Sequence, residues 1–327
     1  MKDTLSPTEI LNEVDWEICD EILSLKAQKN AVILAHYYQE PIIQDLADFV
    51  GDSLDLSRRA ADTNADIIVF AGVHFMAETA KILSPDKKVL IPDLNASCSL
   101  AESCSLTEFE KFVKENPGHT IVSYINSSAE IKAKSDFICT SSNAIRVIES
   151  IPADERILFL PDKNLGEYLI RKTGRPMTLW DGACSVHEAF SIDKILRLHQ
   201  KHPKAKFIAH PESERHILKI ADFIGSTSSL INFVKMDNST EYIVATEAGI
   251  LHQMQKAVPD KTLIPAPAYE DNTCSCSECD FMKMNSVSKL YQCLKNETPE
   301  ITIPEITRLK AIEPIQRMLA LSQQRLN

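Results

Sequence analysis

The chain has 327 residues, of which 44% are apolar and 25% charged, a composition typical of a globular protein with more than one domain. A net charge of -11, with no basic cluster interleaved with aromatic residues, argues against nucleic acid as a partner. Residues 1–28 lack the basic start of a secretion signal, and no apolar run is long enough to span a membrane. We therefore expect a cytoplasmic protein without membrane contacts.

Nine cysteines and eight glycines set further limits. Structural disulfides are not expected in a reducing cytoplasm, so the cysteines are candidates for metal binding, catalysis or burial. The phosphate-binding patterns GxGxxG and GxxxxGKS/T do not occur, and nucleotide binding through such loops is not supported.

The chain repeats itself three times, with a period of about 87 residues. An apolar run ending in polar residues occurs as VILAHYYQ, TIVSYINS and KFIAHPES, and each run is followed by a second matching segment, ADFVGDS, SDFICTS or ADFIGST. These matches align three columns of side chains: His36, Tyr124 and His210; Tyr38, Asn126 and Glu212; and Ser53, Ser141 and Thr227.

Further along each unit come a strand-like run, a helix-like segment and a last strand (ADIIVFAGV, MAETAKIL and KVLIPD in the first unit). Nearly continuous apolar strands are typical of parallel sheets covered on both faces, which indicates a β-α-β-α-β unit. We predict an α/β fold in which three pseudo-three-fold-related αβα domains with short parallel sheets surround a central active site. The predicted domains are 1–105 with an N-terminal helix, 106–192 and 193–280, followed by a C-terminal helical segment, 281–327.

The three columns fall at the carboxyl ends of predicted strands, where ligands bind in open parallel sheets. A simpler interpretation is that they are turn and cap residues left by triplication, and for any single hydroxyl it is equally good. It is weaker for His36, Tyr38, His210 and Glu212, because a sheet edge does not itself require bulky ionisable groups. For these four we favour a functional role.

Cysteines recur after the last strand of each unit. Cys98 and Cys184 occupy equivalent places in NASCSLAE and DGACSVHE, where a serine and a later glutamate form a capping-box pattern. Each thiol is thus expected just before a helix, whose dipole favours the thiolate. The third unit offers TCSCSECD, with Cys274, Cys276 and Cys279 as candidates.

One thiolate from each unit describes a site with three protein ligands. A structural zinc ion normally takes four, whereas an iron-sulfur cluster with three thiolates keeps one iron open. The CxCxxC segment alone is also compatible with a zinc knuckle or a redox pair. Cys104 is the second candidate for the first unit, while Cys19, Cys139 and Cys293 are interpreted as buried structural thiols.

The assembled motifs resemble those of the quinolinate synthase family along nearly the whole chain. They include AHYYQ, GDSLDLSR, FMAETAKIL, YINSSAE, FLPDKNLG, WDGAC-VHE, AHPES and the cysteine-rich segment before FMKMN, in the family's order. The resemblance implies three αβα domains around a cavity with a [4Fe-4S] cluster. It also implies the condensation of iminoaspartate with dihydroxyacetone phosphate to quinolinate, for NAD synthesis, with release of phosphate and two waters. The implied cluster ligands are Cys98, Cys184 and Cys279.

The same resemblance implies a set of substrate-binding residues, and the helix starts add Ser226: His36, Tyr38, Ser53, Tyr124, Ile125, Asn126, Ser141, His210, Pro211, Glu212, Ser226 and Thr227. Among them we expect Glu212, beside His210, to act as general acid and base, with a pKa raised towards neutrality by burial. Tyr38 and Tyr124 are expected to relay protons, and His36 and Asn126 to orient substrate oxygens.

The chain departs from the family pattern in two places. CSCSEC replaces the more usual C-x2-C-x2-C, which leaves the roles of Cys274 and Cys276 open, and Ser229 stands where glycine or glutamine is common. We expect a functional link to the aspartate oxidase or dehydrogenase that supplies the imine. Two alternatives remain at this point: a cluster-dependent hydro-lyase acting on another small acid, and a non-catalytic zinc or redox-sensing module.

Overall fold

Three small parallel sheets, one from each repeat, form the framework of the chain. The computed structural model describes residues 16–269 and 277–323. Its strands are β1 (Ala31–His36), β2 (Phe49–Gly51), β3 (Ile67–Ala71), β4 (Lys88–Leu90), β5 (His119–Tyr124), β6 (Phe137–Cys139), β7 (Arg156–Leu160), β8 (Met177–Leu179), β9 (Lys206–Ala209), β10 (Phe223–Ile224), β11 (Glu241–Ala245) and β12 (Thr262–Pro265). The strand orders are β2-β1-β3-β4, β6-β5-β7-β8 and β10-β9-β11-β12, so one topology occurs three times. This confirms the predicted α/β fold of three αβα units.

Helices connect the strands and cover the sheets. In the described part of the chain, none is long and apolar enough to cross a membrane. The helices are Trp16–Gln28, Pro41–Leu46, Ser53–Asp62, His74–Leu83, Ser99–Glu102, Leu106–Glu115, Ala129–Lys132, Ala144–Ser150, Lys163–Thr173, Ser185–Glu188, Ile192–Lys201, Arg215–Leu218, Thr227–Met236, Ile250–Ala257, Asp280–Lys283, Val287–Asn296 and Glu305–Gln323.

Each unit has one strand more than the sequence predicts. The additional strands β2, β6 and β10 contain only two or three residues and lie at one edge of their sheets. A strand this short shows no period of its own, and only its pairing with the neighbouring strand defines it. The prediction of β-α-β-α-β is therefore wrong in strand number, although the three predicted strands of each unit are present.

An aspartate before each edge strand shows how closely the three units correspond. The Asp48 carboxylate accepts a hydrogen bond from the backbone N–H of Ile33 at 2.8 Å. The equivalent bonds, also 2.8 Å long, join Asp136 to Ile121 and Asp222 to Phe207. The repeat is thus conserved in the hydrogen bonding of the turns as well as in the strands.

The C-terminal helices pack against the first two units. Helix Val287–Asn296 lies on Trp16–Gln28, and helix Glu305–Gln323 lies on β6 and on neighbouring helices. One continuous apolar core contains residues from the first unit, the second unit and the last helix. The predicted domain boundaries after residues 105, 192 and 280 stay a prediction.

Candidate active site

One cavity is lined by residues from all three units. His36 is the last residue of β1, Tyr124 is the last residue of β5, and His210 directly follows β9. The cavity thus lies at the carboxyl ends of the strands, as expected for open parallel sheets. All but three of the site residues proposed from the sequence line it: His36, Tyr38, Ser53, Cys98, Tyr124, Asn126, Ser141, Cys184, His210, Glu212, Thr227 and Cys279.

Three proposed residues, Ile125, Pro211 and Ser226, do not line this cavity. Ile125 belongs to the apolar core, and Pro211 is buried between two residues that do line the cavity. Ser226 is the N-cap of the following helix and accepts a backbone N–H with its hydroxyl. Ser226 is therefore a helix cap, and its role in substrate binding stays a prediction. In the first unit Asp52 provides the cap instead, which leaves the Ser53 hydroxyl facing the cavity.

Glu212 is buried, and both oxygens of its carboxylate lie within hydrogen-bonding distance of neighbouring side chains. Its Oε1 accepts a hydrogen bond from the Tyr124 hydroxyl, and its Oε2 lies 3.0 Å from His187 Nδ1. Burial alone raises the pKa of Glu212, but electrostatic interaction with the His210 and His187 imidazoles and the hydrogen bonds from His187 and Tyr124 lower it to about 2. The expectation of a pKa near neutrality is wrong, because these neighbours stabilise the carboxylate more than burial disfavours it.

The neighbouring histidines and tyrosines are held in their neutral forms. Burial lowers the pKa of His36 to about 4 and that of His210 to about 3. Burial also raises the pKa of Tyr38 and of Tyr124 well above the usual range, and the Glu212 charge adds to this effect. At neutral pH the Glu212 carboxylate therefore shares the cavity with the neutral imidazoles of His36 and His210 and with two phenols that still carry their protons.

His187 is a buried residue that the sequence reasoning missed. Its Nδ1 lies 3.2 Å from Cys184 Sγ as well as within hydrogen-bonding distance of Glu212. Its Nε2 lies 3.0 Å from Thr246 Oγ1, which in turn lies 2.7 Å from the Tyr38 hydroxyl. Polar atoms thus form a connected path from Tyr38 to Glu212 that crosses all three units.

Glu247 was missed as well, and it orients the third cysteine segment. One carboxylate oxygen accepts the backbone N–H of Cys279 at 3.2 Å and lies 3.4 Å from Lys283 Nζ, and the other accepts the N–H of Gly249 at 2.7 Å. Burial raises the pKa of Glu247 to about 7, an effect that Lys283 and the two N–H groups oppose. Thr246 and Glu247 directly follow strand β11, at the same kind of strand end as the other site residues. By the strand pairing, their counterparts are Gly72 and Val73 in the first unit and Pro161 and Asp162 in the second, so only Asp162 is polar as well.

The three proposed cysteine ligands occupy the same structural position. Cys98, Cys184 and Cys279 are the N-cap residues of helices Ser99–Glu102, Ser185–Glu188 and Asp280–Lys283. The prediction of a cysteine immediately before a helix is confirmed. The capping-box pattern is wrong in register, because the cysteine and not the serine after it is the N-cap.

The expectation that the helix dipoles stabilise thiolates is wrong for the chain without a bound metal. Burial raises the pKa of Cys98 to about 12 and that of Cys279 to about 11, and it raises the pKa of Cys184 well above its usual range. Backbone N–H groups of each helix lower these pKa values, but by less than burial raises them. Three half-buried thiolates that line one cavity require a cationic partner, which is what an iron or another metal ion provides.

Other cysteines lie away from the cavity. Cys104 is buried against Phe109 and Leu160 in a separate apolar cluster, which gives no support to its role as the second candidate ligand. Cys139 ends β6 in the core, which agrees with the interpretation of a buried structural thiol. Cys274 and Cys276 lie outside the described residues.

Asn126 has a buried polar atom without a hydrogen-bond partner beside one of the three cysteines. Its Nδ2 lies 3.7 Å from Cys98 Sγ, and its buried Oδ1 has no hydrogen-bond partner. A buried amide oxygen without a donor is costly, so this atom fits a donor that arrives with a substrate or cofactor. Cys184, His187 and Glu212 also lie close enough together to bind one metal ion. The residues present therefore fit a metal-containing site.

Fold and site together define an α/β enzyme of three repeated units, with three N-capping thiols and an ionised carboxylate in one shared cavity. A family profile described as "Quinolinate synthetase A protein" matches residues 20–320. The chain is 60% identical over 301 residues to a quinolinate synthase of Nostoc sp., a match that covers 92% of both chains. It is 58% identical over 301 residues to quinolinate synthases of Synechococcus sp. and Thermosynechococcus vestitus, with 92% of this chain and 94% of each relative covered. The chain belongs to the quinolinate synthase family.

Proposed function

We propose that this enzyme condenses iminoaspartate with dihydroxyacetone phosphate to quinolinate, releasing phosphate and two waters. The observation that carries the proposal is one N-capping cysteine from each unit lining the cavity that holds Glu212. Family membership supports the reaction, since the relatives are quinolinate synthases. An enzyme family also argues against the non-catalytic zinc or redox-sensing module.

The proposed cofactor is a [4Fe-4S] cluster held by Cys98, Cys184 and Cys279. When bound, it supplies an iron without a protein ligand, which acts as a Lewis acid towards substrate oxygen or nitrogen. The Asn126 amide lies beside Cys98 Sγ, and the His187 imidazole lies beside Cys184 Sγ. Each can donate a hydrogen bond to its neighbouring sulfur atom. A single ion on Cys184, His187 and Glu212 is less favourable, because it uses one of the three equivalent thiols and occupies the base.

Glu212 acts as the general base in this proposal. Its ionised carboxylate accepts a substrate proton, while Tyr124 and His187 hold its two oxygens in place. Tyr38 donates a proton to a departing oxygen and connects through Thr246 to His187. His36 and His210, both neutral, serve as hydrogen-bonding groups that orient substrate oxygens.

The substrates are anionic, yet no lysine or arginine is among the described residues lining the cavity. Hydroxyls and backbone N–H groups take their place in the proposal. Ser53 and Thr227 begin ten-residue helices, and Ser141 lies 3.2 Å from His210 Nε2. Helix starts bind phosphate and carboxylate groups without a charged side chain.

The pathway, the source of the imine and the roles of the three units follow from the proposed reaction. The product feeds NAD synthesis in the cytoplasm, and the imine comes from an aspartate oxidase or dehydrogenase. Each αβα unit, bounded at residues 105, 192 and 280, contributes one wall of the cavity. Ile125, Pro211 and Ser226 support the neighbouring substrate-binding residues through the backbone.

Anaerobic purification with an iron, sulfide and zinc count, followed by a quinolinate assay, tests the proposal. We expect a brown protein with about four irons and four sulfides per chain, which makes quinolinate only when both substrates are present. A cluster without quinolinate formation would favour the hydro-lyase alternative. Colourless protein that contains zinc would contradict the proposed cofactor.

A further inference from the structure

Lys132 is a wholly buried lysine for which the proposed reaction has no role. It ends the short helix Ala129–Lys132, and its side chain has no exposed surface. Its Nζ donates hydrogen bonds to the carbonyl oxygen of Ser127 and, at 3.4 Å, to that of Phe75, and lies 5.3 Å from the Phe75 ring centroid. Within the described residues no carboxylate forms an ion pair with it. A buried ammonium without an ion pair is costly and therefore needs a reason.

The repeat provides an internal comparison for this position. Gln44 is the equivalent residue of the first unit, and it lies 88 positions before Lys132, as His36 lies before Tyr124. Its Nε2 donates to the carbonyl oxygens of Gln39 at 2.8 Å and Gly249 at 3.0 Å. Gln39 and Gly249 are themselves the counterparts of Ser127 and Phe75, the two acceptors of Lys132. A neutral amide thus makes the same two hydrogen bonds in the first unit.

Leu218 stands at the equivalent position in the third unit, so neither of the other units places a charge there. The turn can be held by an uncharged donor, so the two carbonyl hydrogen bonds alone do not require the positive charge of Lys132. Burial lowers the pKa of Lys132 to about 8, so an ammonium is still present at pH 7.

Two acidic groups, Glu78 and Cys98, oppose that lowering of the Lys132 pKa. The Glu78 carboxylate has its close contacts with other groups. Its Oε2 accepts the backbone N–H of Ala129 at 3.0 Å, and its Oε1 lies 3.8 Å from His74 Nδ1. Cys98 is one of the three thiols that become thiolates when the site is loaded. It is joined to the Lys132 turn through Asn126, whose amide lies 3.7 Å from Cys98 Sγ.

We propose that Lys132 is a charge-compensating residue for the metal centre, and that its buried ammonium stabilises the negative charge that the three thiolates bring into the cavity. The inference rests on the proposed cluster and adds a residue outside its ligands. The described cavity lining contains no lysine or arginine, and Lys132 provides a positive charge from outside that lining, where its Nζ donates to the carbonyl oxygen of the lining residue Phe75. A cationic group near a cluster favours its more negative, reduced state.

Lys132→Gln is the decisive variant, because it replaces the lysine by the neutral side-chain amide that Gln44 provides at the equivalent position of the first unit. Lys132→Arg retains the charge and serves as the matched control. Each purified chain is reconstituted anaerobically with iron and sulfide, and iron per chain and the midpoint potential of the cluster are measured. Thermal unfolding of the chains without cluster reports on the fold. Cys98→Ser provides the reference for a chain that has lost a ligand.

We expect Lys132→Gln to unfold at the temperature of the parent chain without cluster, since both carbonyl hydrogen bonds are retained. Its cluster should have a more negative potential than that of the parent and should lose iron faster to a chelator, whereas Lys132→Arg should restore the potential towards that of the parent. An unchanged potential and iron content in Lys132→Gln would overturn the inference. Loss of stability without bound cluster would overturn it too, by making Lys132 a structural residue. If the parent chain itself forms no cluster, the proposed cofactor fails instead.

Discussion

Glu212→Gln is the most direct test of the proposed base, because it changes one buried carboxylate and nearly preserves its shape. Glu212 is only 4% exposed, and both of its oxygens are in contact with proton donors. The amide retains one oxygen to accept the Tyr124 hydroxyl, but it places an NH2 group opposite His187. We expect an intact fold that is less stable by about 2 kcal/mol, the usual value of one buried hydrogen bond to a charged group.

The effect on turnover should be much larger than the effect on stability. Removing a general base usually slows a reaction by about a hundredfold to ten-thousandfold, which corresponds to about 3 to 5 kcal/mol in the activation barrier. Quinolinate formation should be measured at saturating concentrations of both substrates, with iron per chain determined on the same sample. The loss should appear in kcat, with little change in KM or in iron content.

Glu188→Gln is the matched control for this experiment. Glu188 belongs to the helix that Cys184 caps, but its carboxylate is 43% exposed and pairs with Lys163 at 3.4 Å. The same loss of one charge there should leave kcat within about twofold of the parent, since exposed ion pairs contribute little. If Glu212→Gln with full iron were as active as Glu188→Gln, Glu212 would not be the base.

Three further predictions concern the cysteines, pH and a loop glycine. Cys98→Ser should lose the cluster while Cys104→Ser keeps it, because only Cys98 lines the cavity, and iron analysis of the two variants would reverse the assignment if the results were exchanged. The His36 imidazole has a pKa of about 4 in the folded chain against 6.5 when unfolded, so it should cost about 3 kcal/mol of stability as pH falls from 6.5 to 4. In denaturant titrations His36→Gln should lose less stability over that pH range than the parent, and equal losses would contradict the shift. Gly182→Ala places a Cβ 2.4 Å from the Pro161 carbonyl oxygen, so it should destabilise the loop before Cys184 and lower iron content, whereas a parent-like Tm would show that the loop adapts.

The fold was predictable because it depends on patterns that are local in the chain. Apolar runs and the polar residues that end them repeat at nearly constant separation, so the three units and the columns led by His36, Tyr38 and Ser53 were visible in the sequence. The edge strands β2, β6 and β10 were not visible, because two or three residues carry no period and the neighbouring strand alone defines them. Cys98 and Cys184 were found through their equivalent places, one in each unit.

Protonation and partner choice were decided by the tertiary structure. The sequence placed Glu212, but the direction of its pKa shift depends on His187, His210 and Tyr124, which come from two units and meet only after folding. For the three thiols the pKa shift has the opposite direction. Their N-cap positions follow from the local sequence, whereas the burial that raises their pKa values arises only in the assembled cavity.

The sequence by itself determined that three copies of one αβα unit each bring a strand end and a cysteine to a common place. Only the tertiary structure decided which side chains contact one another there, including the connection of Tyr38 through Thr246 to His187 and the buried ammonium of Lys132. The physical reason is the distance along the chain over which each interaction acts. Periodicity, caps and turns act within a few residues, whereas desolvation and electrostatic interaction act through space between units that are far apart in the chain.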